Sequence, residues 1–412
     1  MGDTSPMFYN KPLELISGEG VWLIDKDGRR YLDAYNNVPC VGHSHPRVVE
    51  AMAKQASVLN IHTRYLTQPI VEYAENLTAT FTGGLDAVMF TCTGSEANEL
   101  ALRMAKCISG NRGIIVSDYS YHGNTATLAS LNTALLTSEA FSPDARTITI
   151  PNLLVTQDIN DITLADAYLL QVEEAISSLN ASGAGVAALL IDTLFSNEGI
   201  NRLPTGYLER LTQLVHDAGG LVIVDEVQSG FARTGSRMWG YQSHDIIPDI
   251  VTLGKPMGNG FPLAGVVTRR DRVEAFGRAN MYFNTFGGSP VAAAVGQAVL
   301  DVIREENLQA NVLDVGQEMH TALQNLAKRH SIIGDVRGKG LFFAIDLIRN
   351  HTDREPAGIE ARAVVNRMQE LGVLISKIGP HDNILKVRPP LVFGHEHAQL
   401  FIDSLDRALS DL

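Results

Sequence analysis

A lysine in a glycine-rich turn is the residue of this sequence best suited to chemistry. Lys255 lies in Gly254-Lys-Pro-Met-Gly-Asn-Gly260, directly after the apolar run Ile250-Val-Thr-Leu253, which predicts a buried strand. Glycines allow a bulky ligand to approach a backbone that other side chains would crowd. A poorly solvated lysine amine near other cations loses its proton readily and becomes a nucleophile. A lone Gly-Lys pair is more typical of a surface loop, so the prediction depends on a second residue.

That second residue is Asp225, which ends the apolar run Leu221-Val-Ile-Val-Asp225. An apolar run ending in Asp is typical of a buried parallel strand, and open α/β sheets bind ligands at the carboxyl ends of their strands. An amine that forms an imine and a carboxylate that holds a pyridinium nitrogen are the two groups that pyridoxal phosphate requires. Together, Lys255 and Asp225 predict an enzyme that uses this cofactor.

Two further stretches are suited to phosphate, and a third to the cofactor ring. Thr91-Cys-Thr-Gly94-Ser95-Glu-Ala-Asn98 follows a predicted strand and opens a helix, whose N-terminus presents free N–H groups to an anion. Simple capping, with Ser95 as N-cap and Asn98 near N3, is the alternative. The loop Asn284-Thr285-Phe-Gly-Gly offers amide and hydroxyl donors. In Tyr121-His-Gly123 the aromatic ring could stack on a flat heterocycle, although a plain turn explains the same residues.

The elements that must position these residues alternate between strand and helix. From about residue 68 to 290, short apolar runs alternate with helix-period segments, which predicts a mostly parallel α/β sheet covered on both faces. Residues 133–164 are predicted as a long excursion. We expect residues 1–50 to pack with a small C-terminal α+β domain, 301–412, and residues 51–300 to form the large cofactor-binding domain.

Composition limits the classes of partner. The chain has 412 residues, 45% hydrophobic and 19% charged, with a net charge of −13 from 33 basic and 46 acidic residues. No basic run is present, so nucleic acid and anionic membranes are not expected as partners. No stretch reaches the ~20 apolar residues of a membrane span, and no signal segment begins the chain. Three scattered cysteines predict neither disulfides nor a metal site, and we expect a cytoplasmic protein.

Taken together, the motifs resemble the class III aminotransferases, a family with the fold-type I pyridoxal-phosphate architecture. The likeness runs from about residue 15 to the C-terminus and rests on Gly94-Ser-Glu-Ala-Asn98, Tyr121-His-Gly123, Asp225-Glu-Val-Gln228-Ser-Gly-Phe-Ala-Arg-Thr-Gly235, Leu253-Gly-Lys255 and Asn284-Thr285-Phe. The resemblance implies that Lys255 binds the cofactor as an imine and shuttles protons, while Asp225 pairs with the pyridinium nitrogen. It also implies an obligate homodimer and cofactor contacts from Gly94, Ser95, Tyr121, His122, Gln228 and, across the subunit interface, Thr285.

Several segments are similar to a subgroup that includes ethanolamine-phosphate phospho-lyase, among them Thr63-Arg-Tyr-Leu66 and Asn383-Ile-Leu-Lys-Val-Arg-Pro-Pro390. In the wider family an arginine three residues before a Pro-Pro pair often binds the substrate carboxylate. Here that position is Lys386, which lacks the planar two-pronged fit to a carboxylate. Arg64, Lys386 and Arg388 then become candidates for binding a phosphate or phosphonate group of the substrate, although surface charge or salt bridging explains each of them equally well.

The predicted activity is therefore an elimination lyase acting on a 2-aminoethyl phosphate or phosphonate, which releases phosphate or ammonia and leaves an aldehyde. The alternative is an ω-aminotransferase that passes a terminal amine to pyruvate, glyoxylate or 2-oxoglutarate. A third reading, a non-catalytic pyridoxal-phosphate-binding regulator, is disfavoured by the presence of Lys255, Asp225 and Thr285.

Overall fold

The computed structural model describes residues 7–152 and 160–412, and its elements follow the predicted alternation. In chain order the strands are β1 (Leu15–Glu19), β2 (Trp22–Asp25), β3 (Arg30–Asp33), β4 (Ala87–Thr91), β5 (Gly113–Ser117), β6 (Ala145–Ile148), β7 (Val186–Ile191), β8 (Leu221–Asp225), β9 (Ile250–Leu253), β10 (Ala264–Thr268), β11 (Ile333–Lys339), β12 (Phe342–Leu347), β13 (Val373–Leu374), β14 (Ser376–Ile378) and β15 (Ile384–Val387). The α-helices are α1 (Pro46–Ala56), α2 (Gln68–Thr78), α3 (Gly94–Ser109), α4 (Ala126–Ala129), α5 (Asp161–Ala181), α6 (Tyr207–Asp217), α7 (Arg270–Ala279), α8 (Pro290–Glu305), α9 (Leu308–Arg329), α10 (Gly358–Glu370) and α11 (His395–Ser410). Two 3-10 helices span Gly240–Ser243 and Lys255–Gly258.

The chain divides into two compact units. Of the described residues, the large unit takes those within Arg47–Ala232 and Arg237–Val302, and the small unit takes those within Met1–Pro46, Arg233–Ser236 and Ile303–Leu412. These limits differ by a few residues from the boundaries expected at 50 and 300. No sequence pattern had indicated that four residues from the middle of the chain belong with its two ends.

The large unit is built on a seven-stranded sheet with the order β4-β10-β9-β8-β7-β5-β6. The strands from β9 to β6 are parallel to one another, whereas β10 is antiparallel to both of its neighbours. The prediction of a mostly parallel sheet is confirmed. Asp225, the last residue of β8, pairs with Thr252 on β9, and Lys255 follows the end of β9 after one residue, Gly254. The sheet thus places the carboxylate and the amine at the ends of adjacent strands.

Both faces of this sheet are covered. Helix α3 packs against β7, β8, β9 and β10, and its core includes Ile114, Leu190 and Ile223. The alternate residues Leu189 and Val222 are also fully buried, and α5 and α6 pack against β6, β7 and β8. Fully burying one such aliphatic side chain stabilises a fold by about 1.5–3 kcal/mol, so continuous apolar strands are the expected sequence of a sheet covered on two sides.

Strand β6 is an element that the sequence prediction missed. Residues 133–164 were expected to form an excursion, but Ala145–Ile148 form the edge strand beside β5, and α5 begins at Asp161. The strand has only four residues and contains Arg146 and Thr147, because the end of a sheet leaves one side less covered. The part of the expected excursion at residues 153–159 lies outside the described residues.

The small unit contains two four-stranded sheets, ordered β1-β2-β3-β13 and β11-β12-β15-β14, with α9 and α10 packed on them and α11 packed on those two helices. Arg233 is fully buried here, and its guanidinium donates hydrogen bonds to the carbonyl oxygens of Leu341, at 3.2 Å, and Pro389. Gly340 has φ +57°, and a Cβ there would lie 2.5 Å from the carbonyl carbon of Thr234. The segment 233–236 is therefore held closely by the C-terminal part of the chain.

Candidate active site

The ends of β8 and β9 open into a cavity of about 110 Å³ within the large unit. The cavity brings together seven of the eight residues predicted to bind the cofactor, and Thr285 is the exception. Its lining consists of Gly94, Ser95, Asn98, Tyr121, His122, Gly123, Asp192, Asp225, Val227, Gln228 and Lys255. These residues come from five separate stretches of sequence that meet at the carboxyl edge of the sheet, where ligands bind in folds of this class.

Helix α3 directs its N-terminus into the cavity. Its N-cap is Thr93, whose side chain accepts a hydrogen bond from the Glu96 N–H at 3.2 Å, while the Glu96 carboxylate accepts from the Thr93 N–H. The alternative in which Ser95 is the N-cap is therefore wrong. With Thr93 as the cap, Gly94 and Ser95 occupy the first turn, where backbone N–H groups have no acceptor within the helix. This arrangement suits the phosphate of a ligand.

The loop that carries Tyr121 and His122 lies against the same helix end. Gly123 has φ +140°, and a Cβ at this position would lie 2.6 Å from the Ser95 hydroxyl oxygen. That hydroxyl accepts a hydrogen bond from the Asn124 N–H at 3.2 Å. Because glycine alone fits here, the loop comes close enough for Tyr121 and His122 to line the cavity.

Asp225 is buried at the base of the cavity and is surrounded by hydrogen-bond donors. Its Oδ2 lies 2.8 Å from His122 Nδ1 and 2.9 Å from Asn98 Nδ2, and its Oδ1 accepts from the Val227 N–H at 3.0 Å. Burial by itself raises the pKa of a carboxyl group, but the bond and charge of His122 and the other donors hold the pKa of Asp225 below its ordinary value. The carboxylate is therefore kept charged, as a partner for a cationic ring nitrogen must be.

Three acidic residues near the cavity were given no role by the sequence prediction. Asp192 lines the cavity and accepts hydrogen bonds from the N–H groups of Leu194 and Ser196. Burial and the neighbouring Asp192 raise the pKa of Glu198 to about 7, and burial raises the pKa of Glu226 to about 7. A carboxyl group that follows a buried strand was the available signal for Asp192 and Glu226, whereas Glu198 lies in a loop with no such signal.

The predicted substrate residues lie outside this cavity. Arg64 is exposed, with its guanidinium 4.1 Å from the ring centre of Phe283. Lys386 and Arg388 belong to the small unit and are buried, with the Lys386 ammonium 5.4 Å from the ring centre of Phe342. Thr285 is exposed on a loop of the large unit. The roles assigned to these four residues stay predictions.

Comparison with known proteins identifies the family. The family model described as "Aminotransferase class-III" matches residues 7–409. The chain belongs to the class III aminotransferases. It is 37% identical to an alanine–glyoxylate aminotransferase 2-like protein of Drosophila melanogaster, over 98% of this chain and 83% of the relative. It is 36% identical to ethanolamine-phosphate phospho-lyase homolog 1 of Caenorhabditis elegans, over 100% and 91% of the two chains.

Solved structures agree with this assignment. A phospholyase from Arthrobacter in complex with phosphoethanolamine is 50% identical, with a TM-score of 0.98 and coverage of 100% of this chain and 97% of the other. An amine transaminase from an uncultivated Pseudomonas species, solved in its PLP-bound form, is 28% identical with a TM-score of 0.90, covering 100% and 97%. The resemblance read from the sequence is confirmed, the protein is an enzyme, and its cofactor is pyridoxal phosphate.

The residues of the cavity fit this cofactor. His122 Nε2 is buried and has no hydrogen-bond partner among the described residues, so the edge of its ring is available to a ligand. A Cβ on Gly94 would approach the Val227 methyl group to 3.0 Å, which shows how closely the helix end lies against the pocket wall. A charged acceptor, a primary amine, an aromatic side chain and a helix N-terminus match the pyridine nitrogen, aldehyde, ring and phosphate of the group.

Proposed function

We propose that this enzyme is a lyase that eliminates phosphate from a 2-aminoethyl phosphate. One observation carries the proposal: the 50% identity, over the full chain, with a phospholyase solved in complex with phosphoethanolamine. Lys386, at a position where the resemblance leads us to expect a carboxylate-binding arginine, supports it, because an ammonium is a compact point charge that does not match a carboxylate in two-pronged fashion. The substrate is thus expected to carry an anionic group other than an α-carboxylate.

The site residues have three proposed tasks, which are to move the proton of the substrate, to bind the substrate phosphate and to hold the cofactor. When bound, pyridoxal phosphate supplies an electron sink that stabilises negative charge on the amine-bearing carbon of the substrate. The Lys255 amine removes a proton from that carbon, and the charged Asp225 carboxylate favours a protonated ring nitrogen. Tyr121 and Gln228 hold the ring, and the first turn of α3 holds its phosphate. Arg64, Lys386 and Arg388 are proposed to bind the substrate phosphate.

The overall reaction balances with one water molecule. Loss of the proton and of the C–O bond to phosphate gives an enamine and phosphate, and hydrolysis of the enamine gives acetaldehyde and ammonia. A hydroxylated phosphonate would instead lose its hydroxyl group as water, hydrolysis of the enamine would consume one water molecule, and the net products would be ammonia and a phosphonate aldehyde. In either case no keto acid is consumed, which separates this reaction from amine transfer.

The decisive experiment is a product assay on purified, cofactor-loaded enzyme. Ethanolamine phosphate and a hydroxylated 2-aminoethyl phosphonate are supplied with and without pyruvate, while phosphate, ammonia and aldehyde are followed. We expect catalytic release of phosphate or ammonia without pyruvate. The Lys255→Ala variant is the control, which should produce nothing and lack the visible absorbance of the lysine-bound cofactor. Turnover that requires pyruvate and yields alanine would contradict the lyase proposal.

That contrary outcome would favour the second candidate function, an ω-aminotransferase. The observation behind it is the similarity to the alanine–glyoxylate aminotransferase 2-like protein of Drosophila melanogaster, at 37% identity, and to alanine–glyoxylate aminotransferase 2 homolog 2 of Arabidopsis thaliana, at 38%. An aminotransferase must bind a keto-acid carboxylate, so Lys386 or Arg388 would have to serve that group. Replacing Lys386 by Arg separates the two functions, because a two-pronged donor should improve keto-acid binding and impair binding of the aminoethyl phosphate.

We propose further that the enzyme is an obligate homodimer in which Thr285 reaches the cofactor phosphate of the neighbouring subunit. The large unit exposes apolar side chains close to Thr285 in sequence, with Met281 89% and Phe286 74% exposed. A groove of about 500 Å³ is lined by residues that include Phe90 and Phe283. Apolar exposure of this kind is typical of a surface that another protein covers. Sedimentation of the holoenzyme should give twice the chain mass.

The proposed location is the cytoplasm. Three free cysteines, among them the exposed Cys107, support it, because exposed thiols persist in reducing compartments. Within the two described stretches, no helix is long and apolar enough to cross a bilayer. Fractionation of the cells that express the protein is the measurement that tests this proposal.

A further inference from the structure

One buried side-chain amide, that of Asn98, is hydrogen-bonded to two strands and one loop of the cavity. Asn98, in the second turn of α3, is 1% exposed. Its Nδ2 donates to Asp225 Oδ2 at 2.9 Å and to the backbone carbonyl of His122 at 2.7 Å, and its Oδ1 accepts from the Thr252 hydroxyl at 2.6 Å. Asn98 is thus bonded to the strand that bears Asp225, to the loop that bears His122, and to the strand that precedes Lys255.

The partners fix which way the amide points. Nδ2 has two hydrogens and both are used, on the Asp225 carboxylate and the His122 carbonyl. A flipped amide would set its oxygen against those two acceptors and lose both bonds. The Thr252 hydroxyl favours the same orientation, since it donates its one hydrogen to Oδ1. Thr252 is itself fully buried, and its carbonyl accepts from the Glu226 N–H at 2.9 Å, so its position is fixed by the sheet.

The Asn98 amide also helps to keep the neighbouring Asp225 carboxylate charged. Asp225 is buried away from water, so it stays ionised only because donors are aimed at it. Asn98 supplies one of the two side-chain donors to Oδ2, and His122 supplies the other. Loss of the Asn98 bond would leave Oδ2 with His122 alone and would free the carboxylate to rotate away from the direction set by the Val227 N–H.

We propose that Asn98 and Thr252 are positioning residues, which orient the Asp225 carboxylate toward the ring nitrogen of the cofactor. The Thr252 hydroxyl fixes the Asn98 amide by a hydrogen bond, and the amide in turn fixes the Asp225 carboxylate. This inference rests on the proposed role of Asp225 and adds two residues to which no role had been assigned. It is independent of the reaction, because lyase and aminotransferase both need the same ring to be protonated.

The first test removes the Thr252 hydroxyl while keeping its shape. Thr252→Val should release cofactor from the holoenzyme roughly three- to tenfold faster after dilution, the effect of losing one hydrogen bond. It should also move the pH midpoint of the visible absorbance of the bound cofactor, which a purely structural role would leave in place. Thr252→Ser retains the hydroxyl and should behave within about twofold of the parent enzyme.

A matched control exists on the neighbouring strand. Thr268 on β10 is equally buried, and its hydroxyl donates to the carbonyl oxygen of Asp249 at 2.7 Å, outside the cavity. Thr268→Val should lower the thermal stability but leave the release rate and the absorbance midpoint unchanged. If Thr252→Val and Thr268→Val give the same parent-like release rate and midpoint, the proposal is wrong.

A second variant tests the proposal if Thr252→Val does not fold. Asn98→Asp keeps the shape and sets a second carboxyl group against Asp225, among the titratable neighbours His122, Asp192 and Lys255 that line the cavity. Cofactor release should be at least about tenfold faster above neutral pH and should slow toward the parent rate at low pH, where the pair takes up a proton and regains a donor. Parent-like release at every pH would overturn the proposal. None of these measurements uses substrate, so a failed product assay leaves them intact.

Discussion

Two buried carboxyl groups in the large unit show opposite protonation behaviour. Asp225 accepts hydrogen bonds from His122, Asn98 and a backbone N–H, and its pKa is held below the ordinary value. Glu198 accepts from the Ser117 hydroxyl at 2.6 Å and from one N–H, while the charge of Asp192 acts against its ionisation. Both groups are buried, so burial alone does not decide the charge that each carries.

Glu226 shows which difference matters. It directly follows Asp225 and accepts hydrogen bonds from the N–H groups of Gly240 and Tyr241 and from the Ser229 hydroxyl, yet burial raises its pKa to about 7. The donors to Glu226 are neutral, and the nearby charge of Asp192 is negative. Asp225 differs by having an imidazole at 2.8 Å. We infer that His122, more than the number of donors, keeps the cofactor-facing carboxylate ionised.

The largest effect should come from removing the charge of Asp225. Asp225→Asn keeps the size of the side chain but turns an amide NH2 group toward donors. A charge-assisted hydrogen bond contributes about 1.5–3 kcal/mol, so kcat should fall roughly tenfold to more than a hundredfold. Steady-state kinetics check this, and circular dichroism should show that the variant folds. Near-normal rates would mean that the charge of Asp225 is not used.

Removing the imidazole tests the inferred reason for the difference. In His122→Phe the pKa of Asp225 should rise, so the carboxylate takes up a proton at a higher pH and activity is lost sooner as the pH falls. The acid limb of the kcat/KM profile should move upward by about one pH unit, equivalent to about 1.4 kcal/mol. His216→Phe is the control, since His216 Nε2 pairs with Asp249 Oδ2 at 2.7 Å elsewhere in the unit. Equal profiles for both variants would refute the inference.

Glu198 should affect stability rather than turnover. Its pKa is about 7 in the folded protein against an ordinary 4.5, so the stability that it contributes is complete below pH 4.5 and is lost as the pH rises toward 7. The Glu198→Gln variant has no carboxyl group that titrates at this position. Between pH 5 and 7 the unfolding free energy of the parent should therefore fall more steeply than that of the variant, by up to about 1.4 kcal/mol per pH unit. Urea unfolding at fixed protein concentration measures both slopes, and identical slopes would contradict the assignment.

The smallest effect should follow loss of the donor to Glu198. Ser117→Ala removes the hydroxyl that favours the ionised form, so the pKa of Glu198 should rise further. The variant should lose about 0.5–1.5 kcal/mol of unfolding free energy at pH 8, where the parent group is mostly ionised, and less at pH 5. A loss that is the same at both values would show that the hydroxyl does not act through the charge of Glu198.

The fold was predictable wherever a local pattern carries the information. Strands β8 and β9 have the predicted limits, because each is a short run of residues that are all buried. Strand β6 was missed because an edge strand needs no such run. The placement of Arg233–Ser236 in the small unit was also missed, since contacts across more than a hundred residues, such as Arg233 with Leu341, leave no periodic trace in the sequence.

Most residues of the site could be predicted from the sequence, but the hydrogen bonds among them could not. Lys255, Asp225 and the Gly94-Ser95 turn follow strands, so their meeting at one edge of the sheet could be argued from topology. The bonds of Asn98 could not, because they join residues 24, 127 and 154 positions apart. Thr93 was overlooked as the N-cap because Ser95, two residues later, is an equally good cap by type.

The burial of Arg233 among the carbonyl oxygens of Leu341 and Pro389 has a consequence for recombination between relatives. A chimera that exchanges only the two ends of the chain would pair a foreign C-terminal segment with the resident residues 233–236. A side chain at position 340 would clash with the backbone of Thr234, so a C-terminal segment with another residue in place of Gly340 would not pack against residues 233–236. The small unit can therefore be exchanged as a module only as three pieces of gene, of which the middle one encodes four residues.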